Sequence, residues 1–235
     1  DEAKGEIIME NTTAIKNYRA KDLRERTAYR NSPVNVLIVG ATGAGKSSAV
    51  NALIGKNVVK AGTGTDPETM TVTPHCFNRY LTLWDSPGLG DGMASDKRHS
   101  ALITGMLKMR RKNKSTGRSY GVIDMVLVVI EGSVRDMGTT YRLLNDVIIP
   151  NFPTNRIIVA VNQADIAMKG THWNTAKPDK VLNDFLSDKS KSVRSRIKDS
   201  TGIKVRMPVC FSAEYQWNLK GLMNLIIDSI PKKYR

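Results

Sequence analysis

The residues best equipped for chemistry lie where the aliphatic run 36–39 meets Gly40-Ala41-Thr42-Gly43-Ala44-Gly45-Lys46-Ser47-Ser48. The pattern is G-x-x-x-x-G-K-S, and it can wrap a phosphate chain. Backbone amides reach an anion only where no side chain obstructs and where some positions accept positive φ. Glycine meets both needs. A helix opening at Lys46 would point its unpaired amides and positive dipole end at the same anion. Lys46 would reach the β- and γ-phosphates, and the Ser47 hydroxyl would ligate Mg²⁺. The backbone of Ala41, Thr42, Gly43, Ala44 and Gly45, with Ser48, would complete the cradle.

Three further runs follow in order. Asp85-Ser86-Pro87-Gly88 ends the strand-like stretch LTLWD. A carboxylate there can hold Mg²⁺ through water, and the Gly88 amide can sense a γ-phosphate. Asn162-Gln163-Ala164-Asp165 ends a later apolar run. The Asp165 carboxylate can accept from two donors on one edge of a base; guanine offers N1–H and N2–H₂, adenine no such pair. Ser212-Ala213 ends the last apolar run, where the Ala213 amide can donate to guanine O6.

The set GATGAGKS, DSPG, NQAD and SA resembles the G1, G3, G4 and G5 motifs of translation-factor-class GTPases. It is most similar to the Era-like group, including stand-alone 50S ribosome-binding GTPase domains, over about residues 33–231. The resemblance implies a three-layer α/β/α G domain with a mostly parallel six-stranded sheet and one antiparallel edge strand. It implies GTP and GDP as ligands and Mg²⁺ as cofactor. Catalysis would come from positioning and charge neutralisation by Lys46, Mg²⁺ and backbone amides such as that of Gly88. Switching is expected over residues 62–73 and 85–98. The family's first switch carries a threonine that meets both Mg²⁺ and the γ-phosphate. Among Thr65, Thr69, Thr71 and Thr73 we assign Thr69, which directly precedes a strand-like run, with Thr71 second.

Two positions depart from the family pattern. Gln163 stands where the fourth motif usually has lysine, which predicts retained guanine preference through Asn162 and Asp165 at weaker affinity. Leu89 stands where some GTPases carry a water-orienting glutamine, and Gly43 where potassium-using members carry asparagine. Intrinsic hydrolysis should therefore be slow, with the missing group supplied by a partner, a second copy or another residue. An arginine supplied in this way is worth about 10³–10⁵ in rate. His75 and His99 read as structural rather than as bases, and His172 falls in a loop with no partner that the sequence names. Two rival functions stay open. One is a nucleotide-loaded scaffold with negligible turnover that assembles on membrane or with itself; the other is an ATPase.

The elements that must position these residues alternate. Strand-like runs at VNVLIVG, TVTPHCF, RYLTLWD, IDMVLVVI, RIIVAVN and RMPVCFSA are separated by helical patterns. These include KSSAVNALIG, His99 to Lys112, GTTYRLLNDVII, a long helix from Lys177 to Gly202 and a last helix in NLKGLMNLIIDSI. Such alternation implies βαβ units and a parallel sheet. Residues 1–32 read as a basic, helical N-terminal extension and 33–235 as the G domain. Two distant cysteines, Cys76 and Cys210, suit a reduced, cytoplasmic setting. The most apolar run, Val122 to Ile130, is far short of the roughly 20 residues of a membrane span.

Charge is lopsided: 36 Lys and Arg oppose 22 Asp and Glu, net +14. Lys97 to Arg118 contains eight basic residues and no acidic one. This tract is expected to meet rRNA, the ribosome or another anionic surface by backbone electrostatics, since aromatics for base stacking are sparse. Peripheral attachment to ribosome or membrane and nucleotide-dependent self-association follow as expectations.

Overall fold

Strands that are apolar on both sides need cover on both faces, and in the computed structural model of this chain helices supply it. The structure describes residues 15–55, 58, 72–114 and 116–235. In chain order the first elements are α1 Ala20–Arg26, β1 Val34–Val39, α2 Lys46–Ile54, β2 Thr73–Asn78, β3 Leu81–Asp85 and α3 Met93–Lys108. Then come β4 Arg110–Lys112, β5 Ser119–Gly121, β6 Met125–Glu131, α4 Gly138–Arg142 and β7 Ile157–Asn162. The last are β8 Trp173–Asn174, β9 Lys177–Pro178, α5 Lys180–Thr201, β10 Val209–Cys210 and α6 Leu219–Asp228.

Six strands form one sheet in the order β10-β7-β6-β1-β3-β2. Neighbours run parallel except β2, which pairs antiparallel with β3 at the edge. This is the expected three-layer α/β/α arrangement. Strand side chains alternate between faces, and the two faces feed two cores. Val36 and Ile38 of β1 pack with Val50, Leu53, Leu222 and Ile226, from α2 and α6. Leu37 and Val39 face the other way, onto Ile103, Leu107, Leu182 and Ile197 of α3 and α5. Ile15 and Leu23 join the first core, so the described part of the N-terminal region packs against the sheet domain. Arg19 fixes it further, donating to Asn224 and Asp228 of α6.

Several element boundaries differ from the sequence reading. The helix read from His99 to Lys112 begins at Met93 and ends at Lys108. Arg110–Lys112 is instead a strand paired with Ser119–Gly121. The turn sequence Asn-Lys-Ser-Thr-Gly between them, with Gly117 at φ 68, favours reversal over helix. The helix after β6 turns π over Leu143–Ile148. Lys177 and Pro178 belong to a two-stranded hairpin with Trp173 and Asn174 rather than to α5. Of the run 206–213 only Val209–Cys210 is strand. Cys210 is buried as expected from its apolar run, whereas Cys76 is exposed. Thr65, Thr69 and Thr71 lie outside the described residues; Thr73 opens β2. No helix among the described residues is long and apolar enough to cross a membrane.

Candidate functional site

Parallel strands end together, and loops beyond their carboxyl ends share one crevice. Here β1 delivers Gly40, β3 ends on Asp85, β7 ends on Asn162, and β10 runs into Ser212 and Ala213. The four motifs therefore converge on one edge of the sheet.

The loop 40–45 is shaped by close approach. A Cβ on Gly40, at φ 156, would sit 2.3 Å from Val129 O. One on Gly45, at φ 78, would sit 2.3 Å from Asn162 Nδ2. Asn162 is the cross-tie. Its Nδ2 donates to Ala44 O and Gly45 O at 3.2 Å each, and its Oδ1 accepts from Ala213 N at 3.0 Å. Gln163, in left-handed backbone at φ 60, donates from Nε2 to Gly43 O at 3.0 Å. Glutamine thus retains a link from the fourth motif to the phosphate loop. Ser212 Oγ donates to Asp165 Oδ1 at 2.6 Å and fixes the carboxylate.

Lys46 opens α2 and is 7% exposed. Its Nζ donates to Ala41 O at 3.0 Å and Gly40 O at 3.3 Å. Burial lowers its pKa to about 8, against the opposing pull of Asp85 and Asp91. Ser47 Oγ donates to Asp85 Oδ2 at 2.7 Å. Burial pushes the Asp85 carboxyl up, and the Ser47 hydrogen bond and Lys46 only partly offset it. Asp85 Oδ1 is buried without a hydrogen-bond partner. A hydroxyl beside an orphaned carboxylate oxygen, at the end of a phosphate-type loop, fits a hard cation with retained water.

The loop after Asp85 closes on the phosphate loop. Thr42 N donates to Leu89 O at 2.8 Å, and Leu89 N to Gly40 O at 3.3 Å. A Cβ on Gly88 would lie 2.5 Å from Thr42 Oγ1, so only glycine permits this contact. Thr42 Oγ1 donates to Asp91 Oδ2 at 2.6 Å. Asp96 Oδ1 accepts from Gly90 N at 2.7 Å. The Leu89 side chain is 5% exposed and belongs to the second core.

Asp91 and His99 escaped the sequence reading as site residues. His99 sits within α3, not at its start, and meets Gly88 O. No motif spacing announces either residue. His75 bonds Thr73 Oγ1 on the edge strand, and His172 pairs with Asp179 Oδ2 at 2.7 Å. Both hydrogen bonds lie outside the four motifs. The basic tract does not form one surface: Lys97 and Arg98 lie in the first turns of α3, beside the site, whereas Lys108 ends α3 and Arg110 to Arg118 lie beyond it.

A sequence model of the family described as 50S ribosome-binding GTPase matches residues 35–163. The Escherichia coli K12 protein YkfA is 26% identical over 207 residues, covering 83% of this chain and 62% of YkfA. The chain thus spans about 62% of the length of the curated relatives it matches. Arabidopsis thaliana Toc33 in complex with GDP and Mg²⁺ superposes with TM-score 0.62 at 18% identity, over 95% of each chain. Aquifex aeolicus Era bound to GDP and AlF₄⁻ gives TM-score 0.55 at 18% identity, over 85% of this chain and 57% of Era.

Proposed function

This chain belongs to the 50S ribosome-binding GTPase family, and we propose that it is a nucleotide-dependent switch that binds GTP with Mg²⁺ and hydrolyses it slowly to GDP and phosphate. The loop 41–48 would cradle the phosphates, with Lys46 exchanging its loop carbonyls for β- and γ-oxygens. Asp165, held by Ser212, would select guanine, with Asn162, Gln163 and Ala213 framing the base site. Ser47 would ligate Mg²⁺ and Asp85 would hold it through water, with Thr69 as the switch I ligand. When bound, the ion would neutralise charge on the phosphate oxygens. The Gly88 amide would sense the γ-phosphate.

The observation that carries slow turnover is Leu89. Its side chain is turned into the core while its backbone bonds to Gly40 and Thr42. It offers no polar atom to a water molecule. The group that completes catalysis would then come from outside this arrangement. Dimerization is important for the GTPase activity of the chloroplast translocon components atToc33 and psToc159, which share this fold. A second copy of this chain is accordingly the first source to examine, followed by a ribosome or anionic surface.

Single-turnover phosphate release tests the proposal, run at low and high protein concentration and with ribosomes or anionic vesicles added. Slow release alone and acceleration by one addition are expected. Fast release by dilute protein alone would sink the slow-switch reading. Absence of acceleration under every condition would favour the scaffold. Effective competition by ATP for bound GTP would favour the ATPase.

A further inference from the structure

The net positive charge of the described residues is concentrated at one pole. The amino ends of β1, β3, β6 and β7 lie opposite the motif-bearing edge, and the segments gathered there are tied by named contacts. Val34 N donates to Tyr80 O, Gly121 N to Arg235 O, and Arg156 Nη2 to Lys233 O. Arg30 forms a two-pronged pair with Asp124. The segments are 19–33, 79–80, 108–124, 153–156, 202–208 and 228–235. Together they hold eighteen Lys and Arg and four Asp and Glu. The described residues outside these segments hold fifteen Lys and Arg against twelve Asp and Glu. The surplus of fourteen at this pole therefore far exceeds the surplus of three over the rest of the described residues.

Most of these cations are free to meet a partner. Arg111, Lys112, Lys114 and Arg118, on the β4–β5 hairpin, are exposed. A groove of about 820 Å³ opens on the same pole, lined by Arg26, Lys204, Arg206 and Lys232, with Glu25 and Asp228. Asp228 is already paired with Arg19.

We propose that this pole is a docking surface for the phosphodiester backbone of double-stranded RNA. Like charge excludes a second copy of the same pole. A flat membrane is a poor match for a projecting hairpin beside a groove. The hairpin's turn, Asn-Lys-Ser-Thr-Gly, carries no apolar side chain to insert. The exposed apolar residues of the pole, Tyr29, Met109 and Met207, come from three separate segments. A ridge and a groove of cations, with Tyr29 the exposed ring among the pole's described residues, suit the regularly spaced phosphates of a helix. Duplex RNA is recognised largely through shape and phosphate contacts. Reading DNA bases would call for a helix or ribbon set into the major groove, and the β4–β5 ribbon is only three residue pairs long. The pole's helix α1 has seven residues and turns Leu23 into the core. The surface also has a mechanical link to the nucleotide. α3 runs 16 residues, roughly 24 Å, from the loop after Gly88 to the hairpin.

The inference rests on the proposed switch only in supposing that the switch has a partner, so GDP affinity is measured beside RNA binding. The probe is an RNA duplex of arbitrary sequence, about 20 base pairs long. Its affinity is read by fluorescence anisotropy between about 50 and 200 mM salt. Steep weakening with salt is expected. The triple variant Arg111→Ala/Lys112→Ala/Lys114→Ala should lower the slope of log affinity against log salt by about 2–3 and weaken binding about tenfold or more. Lys204→Ala/Arg206→Ala, in the groove lining, should act in the same direction, which keeps the test valid if the hairpin variant fails to fold. Lys97→Ala/Arg98→Ala, beside the nucleotide edge, should leave the slope unchanged. Loss of RNA binding with GDP affinity intact supports the surface. An unchanged slope in both pole variants overturns it. So does tighter binding to the matching DNA duplex, or tighter binding to phosphatidylserine vesicles than to RNA.

Discussion

His99 Nδ1 lies 2.6 Å from the carbonyl oxygen of Gly88, and the imidazole is 2% exposed. A carbonyl can only accept, so Nδ1 carries the hydrogen and donates. The contact joins α3 to the loop whose backbone is bonded to Gly40 and Thr42. α3 thereby grips the glycine expected to sense a γ-phosphate, and its other end abuts the basic hairpin. Motion of Gly88 has a direct, packed route along one helix.

Removing that donor leaves a half-buried carbonyl unpaired, which costs at most about 1–3 kcal/mol. His99→Phe should lower the urea midpoint accordingly and change the ratio of GTP to GDP affinity. His99→Asn, whose amide nitrogen can stand near the Nδ1 position, should recover the ratio. Equal loss of affinity for both nucleotides would reduce His99 to a packing residue.

Lys46 is a buried ammonium that, among the described residues, donates to two loop carbonyls. Burial already disfavours its charge, as its pKa of about 8 shows. Lys46→Ala should therefore leave the thermal midpoint of nucleotide-free protein nearly unchanged. GTP affinity should fall about 10²-fold or more, since two charged contacts are each worth about 1.5–3 kcal/mol. Calorimetric titration with Mg²⁺ present and absent checks both this loss and the role of the orphaned Asp85 oxygen. Chelating the ion should weaken wild-type binding.

Asp165 is clamped by Ser212 at 2.6 Å, leaving its other oxygen for a ligand. Exchanging the acceptor for an amide should disfavour the two guanine donors and favour a carbonyl in their place. Asp165→Asn is expected to weaken GTP about tenfold or more and to let XTP compete more effectively than GTP. Competition against a fluorescent guanine nucleotide reads the exchange; an unaltered preference would remove Asp165 from base selection.

The legible parts of this molecule were those governed by local rules. The loop 40–48 announces itself because glycine, lysine and serine are each required at fixed offsets, and β1, β6 and β7 because a doubly covered strand must be apolar throughout. Contacts between distant segments left no such mark. His99 meeting Gly88, Asp91 meeting Thr42 and the pairing of Leu89 with the phosphate loop depend on how two loops close. The basic tract divides for a related reason. Lys97 lies near the start of α3 and Lys108 ends it, and only the fold brings Lys204 and Lys232 into one groove.

Arg30 and Asp124 form a two-pronged pair at 2.9 and 2.7 Å with side chains 1% and 0% exposed. Arg30 also stacks on the Tyr234 ring, 4.6 Å from its centroid. Asp124 Oδ2 accepts from Asn35 N as well. Removing one partner of such a pair strands the other charge, at about 3–5 kcal/mol. Arg30→Ala should lower stability by that order in denaturant unfolding and loosen both chain ends, since the pair joins residue 30 to the tail through Tyr234. Faster amide exchange at Asn35 and Gly121 reports the loosening; a change below about 1 kcal/mol would show that the clasp is idle.

Asp179 caps α5, its Oδ1 accepting from Leu182 N at 3.0 Å while Oδ2 meets His172 Nδ1 at 2.7 Å. The Leu182 amide first, and His172 second, hold the carboxyl below its ordinary value. A carboxyl with a depressed folded-state pKa contributes stability that is present above the unfolded pKa, near about 4. That contribution disappears as pH falls through the lower folded value. Asp179→Asn keeps an acceptor for Leu182 but cannot ionise. The wild-type melting temperature should exceed that of Asp179→Asn near neutral pH, and the gap should narrow as pH falls below about 4. A gap that stays constant across this range would mean that the cap acts by hydrogen-bond geometry alone, with no contribution from charge.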